Sequence, residues 1–79
     1  MQVIIYGKTN CPNCEKTKML CRMKSVDFQY LVEGQDYNAQ ELTTLVGHEV
    51  RSVPQIFIKK EEGQQYVGVY EDLRNILST

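Results

Sequence analysis

Long apolar runs, a strong excess of one charge and a dense set of cysteines are all missing from this chain of 79 residues. Near the N-terminus the only apolar run is VIIY, residues 3–6, which is too short for the core of a signal peptide or for a membrane span. The three cysteines are an odd number, whereas disulfide-scaffolded secreted domains usually carry a denser, even set. We therefore expect a cytoplasmic protein that does not enter a membrane.

Glycine and proline are also scarce, with five and two residues, which excludes a fibrous or compositionally disordered chain. The net charge of -1 provides no overall field to attract nucleic acid. A chain of this length buries about 60% of the surface that its unfolded form exposes, enough for one domain and no more. We expect a single domain over residues 1–79 and, because no large unpaired apolar patch is evident, a monomer.

The charges are unevenly distributed along the chain. Residues 1–26 carry Lys8, Lys16, Lys18, Arg22 and Lys24 against Glu15 alone. Such a bias could steer an anionic ligand or an acidic partner, although a solvated helix face would produce the same pattern.

Hydrophobic patterning predicts four strands and three helices. The predicted strands cover residues 3–6, 28–33, 55–60 and 66–69, and the predicted helices cover residues 12–24, 38–46 and 70–77. The order β-α-β-α-β-β-α begins with a parallel crossover and contains a tight hairpin around the EEGQQ turn. The sequence thus predicts an α/β fold, a four-stranded mixed sheet flanked by helices.

The boundaries of the helices follow from their flanking residues. Thr9 or Asn10 is a candidate N-cap for the first helix, which places Pro12 in its first turn. One face of this helix is predicted to hold Cys14, Thr17, Leu20, Cys21 and Lys24. Asn38 is the expected cap of the second helix, which ends at Gly47. Its apolar stripe is predicted to consist of Ala39, Leu42, Leu45 and Val46.

Cys11 and Cys14 form a C-x-x-C pair between the first strand and the first helix. A closed zinc site needs four ligands, but Cys21 lies about 10 Å further along the same helix axis, and His48 is the sole histidine. A purely structural disulfide would close a loop of only a few residues and stabilise the fold weakly. Redox chemistry explains the pair better than a metal- or cluster-binding module or a structural disulfide does.

A helix N-terminus favours a thiolate at Cys11, because unpaired N–H groups and the helix dipole stabilise negative charge there. Lys8 adds a positive charge nearby. We therefore predict that Cys11 is the nucleophile and that Cys14, one turn deeper, is the resolving thiol. Cys21 is predicted to be a small buried hydrophobe, with regulatory oxidation or glutathionylation as the alternative. His48 is predicted to be a surface loop residue.

Three segments resemble the glutaredoxin family. YGKTNCPNC, residues 6–14, is similar to its K-x-x-C-P-x-C active site, RSVPQIFI, residues 51–58, to its R-T-V-P segment, and VGVYEDL, residues 67–73, to the G-G-x-[DS]-D-L entry to its last helix. The resemblance runs through the whole chain in the family's order. It implies a thioredoxin-like fold with Pro54 in a cis peptide bond.

The same resemblance implies a glutathione site. Lys8 and Arg51 would face the glycine carboxylate, the Val53 backbone beside Pro54 would pair with the cysteinyl part, and Asn13 would lie against the ligand. The backbone N–H groups of Tyr70 and Glu71 would receive the γ-glutamyl carboxylate. The chain departs from the family pattern in two places. Asn13 replaces the usual aromatic residue between the cysteines, and Val69 replaces the second glycine, with Tyr70 in place of the common small or cysteine residue.

The resemblance implies a dithiol-disulfide oxidoreductase that reduces protein disulfides and glutathione mixed disulfides. Glutathione would be a co-substrate, with no tightly bound cofactor, and ribonucleotide reductase is a candidate acceptor. A redoxin of similar fold reduced by thioredoxin reductase is the alternative.

Overall fold

The computed structural model describes residues 1–50 and 52–78. Within them the elements follow the predicted order β-α-β-α-β-β-α. The strands are β1 (Gln2–Gly7), β2 (Asp27–Val32), β3 (Gln55–Lys60) and β4 (Gly63–Gly68), and the helices are α1 (Pro12–Met23), α2 (Ala39–Val46) and α3 (Tyr70–Leu77).

The four strands form one mixed sheet in the spatial order β2-β1-β3-β4. β1 pairs in parallel with β2 and antiparallel with β3, and β3 pairs antiparallel with β4. The predicted four-stranded mixed sheet is therefore confirmed. Because β1 lies inside the sheet, the loop at its carboxyl end, which leads to Cys11, leaves from the centre of the fold.

Each face of β1 contributes to a separate apolar core, since side chains alternate along a strand. Val3 and Ile5 are fully buried in a core that includes Leu20, Cys21 and Leu73 from the helices α1 and α3. On the other face, Ile4 and Tyr6 pack with a second buried cluster that comprises Tyr37, Leu42 and Phe57. The prediction that residues 3–6 are buried on both faces is confirmed, as is the burial of Cys21.

Two of the predicted boundaries were wrong. β4 begins at Gly63 rather than residue 66, so the hairpin turn is shorter than the predicted EEGQQ segment. Its first residues, Gly63, Gln64 and Gln65, are exposed and lack apolar alternation. Helix α1 is capped by Cys11, whose sulfur accepts a hydrogen bond from Cys14 N–H, and neither Thr9 nor Asn10 is the cap.

Three residues predicted on buried helical faces are exposed. Lys24 is the C-cap of α1 and lies in solvent, because the helix ends at Met23. In α2, Ala39 is exposed and Leu45 is 45% exposed, whereas Leu42 is only 1% exposed. Asn38 does cap α2 through Glu41 N–H, and Gly47 ends the helix with a positive φ of 93°, as predicted.

Tyr37 joins the second core to the end of β1. Its ring meets the edge of Tyr6 at a centroid distance of 5.1 Å, and its hydroxyl donates a hydrogen bond of 2.7 Å to the carbonyl of Gly7. Burial, helped by Glu33, raises the pKa of Tyr37 to about 12. The hydroxyl is thus held protonated as a donor. No helix within the described residues is both long and apolar enough to cross a membrane.

Replacing Tyr37 by Phe tests this contact. We expect Tyr37→Phe to lower the free energy of unfolding by about 1 kcal/mol at pH 7, the usual net value of one buried hydrogen bond. Below pH 10 the tyrosine is protonated in both states. As pH rises from 10 to about 12, the unfolded state releases its proton first, so the wild-type protein loses stability.

Tyr37→Phe lacks this ionisation, so its stability should fall less steeply above pH 10. Urea unfolding at pH 7, 10 and 11 measures both effects. Tyr70→Phe is the control, since no hydrogen bond of the Tyr70 hydroxyl is found in residues 1–50 and 52–78. Equal alkaline slopes for Tyr37→Phe and the wild type would contradict the prediction.

Candidate active site

Cys11 and Cys14 lie at the start of α1 and are joined by a disulfide, with their Cα atoms 5.2 Å apart. Cys11 is 8% exposed and Cys14 is fully buried. The pair is therefore asymmetric, because Cys11 keeps a small exposed fraction and Cys14 keeps none. Cys14, one turn deeper, is fully shielded, as the spacing predicted.

The sulfur of Cys11 acts as the N-cap of α1. Cys14 N–H donates to Cys11 Sγ over 3.2 Å, and the backbone of Cys11 is extended, with φ -122° and ψ 103°. The preceding Asn10 has φ 54°, a left-handed conformation that asparagine tolerates better than most residues. A helix N-cap directs N–H groups at its acceptor, so this position favours a negative charge on Cys11 in the reduced protein.

Val53 approaches the same sulfur from a distant part of the chain. Its carbonyl oxygen lies 3.9 Å from Cys11 Sγ, and the Val53–Pro54 peptide bond is cis, as the resemblance implied. Pro54 is buried, while Val53 is half-buried. The backbone of residue 53 therefore lies beside the sulfur that a substrate must reach.

Two tyrosine hydroxyls hold the loop that carries Cys11. Tyr30 donates 2.8 Å to the carbonyl of Lys8, and Tyr37 donates to that of Gly7. A side chain at position 7 would collide with the Tyr30 ring, so glycine is required for this approach. The sequence does not reveal either contact, because nothing local shows which carbonyl a tyrosine will reach.

Gln55 was also missed, although it organises the segment next to Val53. It is only 5% exposed, its amide donates 2.8 Å to the Ser52 carbonyl, and its oxygen accepts a hydrogen bond from Tyr66. The sequence feature that could have indicated this role is a polar residue directly after Val-Pro, at the start of a buried strand. Its two partners link the 52–54 loop to the β3–β4 hairpin.

An open groove of about 800 Å³, here called the α1–α3 groove, begins at Asn13, which lies between the two cysteines in the sequence. It is lined by α1 side chains between positions 13 and 24, by residues 52–54, and by side chains between positions 69 and 78. Five of the predicted site residues meet there, namely Asn13, Val53, Pro54, Tyr70 and Glu71.

The remaining two predicted ligand residues lie elsewhere. Lys8 lines a smaller cleft of about 150 Å³ with Glu33 and Leu42, and Val53 and Ser52 separate this cleft from the α1–α3 groove. Arg51 lies outside the described residues. Val53 lines both cavities, so a ligand on its backbone could extend into either.

The entry to α3 is shaped by Asp72. Its carboxylate accepts a hydrogen bond of 2.9 Å from Val69 N–H, which occupies the N-cap position. Gly68 has φ 131°, and a Cβ there would collide with that carboxylate. Asp72 thus folds back on the cap, while Tyr70 and Glu71, in the first turn, line the α1–α3 groove.

Within residues 1–50 and 52–78, no group of three or more histidine, cysteine or acidic side chains is arranged to hold a metal ion. His48 is exposed and its ring lies against Tyr66, with centroids 6.2 Å apart. Its predicted position in a surface loop is confirmed.

A family model described as Glutaredoxin matches residues 3–62. The chain belongs to the glutaredoxin family. This match includes Cys11, Cys14, Val53 and Pro54, and it confirms the resemblance seen in the sequence. A glutaredoxin with an asymmetric C-x-x-C pair at a helix N-terminus is a thiol-disulfide oxidoreductase.

The relatives cover nearly the whole chain. Glutaredoxin 1 of Escherichia coli K12 is 35% identical in an alignment 78 residues long that covers 91% of this chain and 87% of the relative. The solved structure of reduced E. coli glutaredoxin has a TM-score of 0.82 at 30% identity and covers 99% of this chain and 94% of its own. A buckwheat glutaredoxin–glutathione complex shares the fold, with a TM-score of 0.73 at 23% identity over 92% of this chain and 64% of its own.

The three cysteines of the reduced glutaredoxin should differ sharply in reactivity. We expect the Cys11 thiol to have a pKa below the free-cysteine value of about 8.5, because its thiolate would accept the Cys14 N–H hydrogen bond. Cys21 is fully buried, and burial raises the pKa of its thiol. Iodoacetamide labelling across pH, with peptide mass spectrometry, measures each rate.

Guanidinium-unfolded protein provides the control, in which the three thiols should react at similar rates. Labelling of Cys21 as fast as Cys11 in the folded protein would contradict the prediction. A Cys11 midpoint at or above about 8.5 would do so as well.

Proposed function

We propose that this glutaredoxin reduces protein disulfides and glutathione mixed disulfides and is itself re-reduced by glutathione. The observation that carries the proposal is the proximity of Val53 to Cys11 Sγ at 3.9 Å, at one end of a groove that also contains the first turn of α3. A peptide-like thiol paired with the Val53 backbone would have its sulfur at Cys11. The buckwheat glutaredoxin was solved with glutathione, so this fold can hold that ligand.

The reaction proceeds by two thiol–disulfide exchanges. The Cys11 thiolate attacks one sulfur of the substrate disulfide, forms a mixed disulfide and releases the other substrate sulfur as a thiolate that takes up a proton. Cys14 then loses its proton and attacks Cys11 Sγ, which releases the second substrate thiol. The substrate gains two electrons, and the Cys11–Cys14 disulfide forms. Two glutathione thiols reverse this oxidation and leave as glutathione disulfide.

The proposed glutathione site extends from Lys8 across Val53 to α3. Lys8 and Arg51 bind the glycine carboxylate, and the backbone beside Pro54 pairs with the cysteinyl part. Asn13 would lie beside the cysteinyl sulfur of glutathione. The N–H groups of Tyr70 and Glu71 receive the γ-glutamyl carboxylate, since the first N–H groups of a helix have no acceptor within it. No tightly bound cofactor is needed, because the electrons remain on sulfur throughout.

The electron donor and the acceptor define the alternatives. A redoxin fed by thioredoxin reductase would use the same cysteine pair, and ribonucleotide reductase is a candidate acceptor in either case. We also propose that the protein acts in the cytoplasm as a monomer.

The donor is tested by coupling reduction of hydroxyethyl disulfide to NADPH. We expect turnover with glutathione and glutathione reductase, and little with thioredoxin reductase alone.

Cys14→Ser should abolish reduction of a protein disulfide, because no resolving thiol remains, while retaining part of the deglutathionylation activity. Cys21→Ser is the matched control and should retain both activities. Turnover with thioredoxin reductase alone would favour the alternative, and equal loss of both activities in Cys14→Ser would refute the division of roles.

Val69 provides a graded test of the glutathione contact. Its side chain is 37% exposed at the α1–α3 groove and precedes the N–H groups of Tyr70 and Glu71. We expect Val69→Gly to lower KM for glutathione several-fold with little change in kcat, because glycine is acceptable at an N-cap and lets the ligand approach. Val69→Ile, which is larger, should raise KM. Steady-state kinetics measure both, with thermal melts to verify folding, and an unchanged KM in both variants would contradict the proposed contact.

A further inference from the structure

We propose that the part of the α1–α3 groove remote from the cysteines is a docking site for protein substrates, selecting a segment with an apolar residue and carboxylates next to its disulfide. This remote part is formed by Lys16, Met19, Met23, Lys24, Arg74 and Ser78. The proposal rests on the thiol-disulfide exchange described above and adds the class of protein substrate.

The groove is longer than a tripeptide. From Asn13 to Met23, the α1 residues that line it extend over about 15 Å at the helical rise. Three extended residues span about 10 Å. A tripeptide that pairs with Val53 and reaches Tyr70 therefore leaves the remote part of the groove empty. A protein chain continuing beyond its cysteine would enter that part.

The basic side chains of α1 divide between two faces. Lys18 forms an ion pair with Glu15 at 3.0 Å and lies 4.2 Å from the Tyr30 ring centre. Arg22 lies over the Phe28 ring at 5.6 Å. These two are engaged on the side of β2, which leaves the other basic residues of the helix to face the groove.

The basic residues of the groove have no such partner. Lys16, Lys24 and Arg74 are exposed, and across residues 1–50 and 52–78 none of them forms a salt bridge or a cation–π contact. Glu71 is the sole acidic residue among the groove-lining side chains. The groove is thus locally positive in a chain whose net charge is -1, and acidic side chains would complement it.

Two methionines supply the apolar surface. Met19 and Met23 lie one turn apart on α1 and are 58% and 74% exposed, beside Leu20, which is 8% exposed. Isolated exposed apolar residues are normal, but this pair is contiguous and borders the cationic residues. Methionine side chains are flexible and accommodate apolar partners of different shapes. The groove therefore fits an apolar residue flanked by acids better than a purely ionic ligand.

The test uses short synthetic peptides closed by a C-x-x-C disulfide. One peptide carries Leu-Asp-Asp after its second cysteine, a second carries Leu-Lys-Lys, and a third carries Ser-Asp-Asp. Protein reduced with dithiothreitol and freed of reductant is mixed with each peptide, and quenched samples are separated by chromatography. Because each protein molecule reacts only once, the result does not depend on whether glutathione or thioredoxin reductase re-reduces the protein. A failure of the donor proposal can therefore be distinguished from a failure of the docking proposal.

We expect the wild type to reduce the Leu-Asp-Asp peptide about tenfold faster than the Leu-Lys-Lys peptide at low concentration, by electrostatic complementarity. The preference should shrink between about 0.05 and 0.5 M salt. Lys24→Glu/Arg74→Glu should remove it. Met23→Ser should slow reduction of the Leu-Asp-Asp peptide about threefold while leaving the Ser-Asp-Asp peptide unaffected, because less apolar surface is buried.

Lys59→Glu/Lys60→Glu is the matched control. It makes the same change in net charge at the exposed end of β3, outside the α1–α3 groove. An equal loss of preference in this control would assign the effect to net charge and overturn the proposal. Equal rates with all three peptides would also overturn the proposal. Rates of peptide reduction that fall as the protein concentration rises would overturn it as well, because they would indicate that a second copy of the chain occupies the groove.

Discussion

The hydrogen bond from Cys14 N–H to Cys11 Sγ, 3.2 Å long, is the contact on which the site depends. In most helices an oxygen of serine, threonine, aspartate or asparagine accepts this bond. Here a sulfur accepts it, so the residue that ends the β1 loop is both the helix cap and the reacting group. A thiolate is a better acceptor than a thiol. Ionisation of Cys11 therefore strengthens the hydrogen bond that caps α1 and also makes the sulfur reactive. The stability of the helix and the reactivity of the site both favour the thiolate.

A cap of this kind requires the loop before it to be held in place. Tyr30 and Tyr37 provide this by donating to the carbonyls of Lys8 and Gly7, while Gln55 holds the Ser52 carbonyl from the opposite side. Tyr30 and Gln55 lie on the two strands that pair with β1, and Tyr37 packs against Tyr6 of β1, so the two loops next to Cys11 Sγ are positioned by the sheet. Flexible surface loops would not keep the Val53 carbonyl 3.9 Å from that sulfur.

Local features of the sequence were predictable, and contacts between distant segments were not. The cysteine pair and the bounds of α2 and α3 depend on neighbours within one or two helical turns, and the patterns revealed them. β4 was predicted too short because Gly63, Gln64 and Gln65 lie exposed at the sheet edge, where pairing involves the backbone and leaves no apolar alternation. The cap was assigned to Thr9 or Asn10 because sulfur is an uncommon cap. The family resemblance supplied Val53 and Pro54, since spacing alone does not bring residue 53 beside residue 11.

Helix α1 combines three tasks through its periodicity. Cys14, Thr17 and Cys21 face the core and are fully buried, and the single polar group among them is satisfied by a 2.8 Å bond from Thr17 to the Asn13 carbonyl. Lys18 and Arg22 cover the aromatic rings of β2. The third face carries Met19, Met23 and unpaired lysines along the groove. The docking of a substrate segment proposed for this groove would cover the two exposed methionines. Lys16 and Lys24 line the groove, whereas Lys18 and Arg22 cover the rings of β2, so the excess of basic residues in the N-terminal third is divided between two faces of the fold.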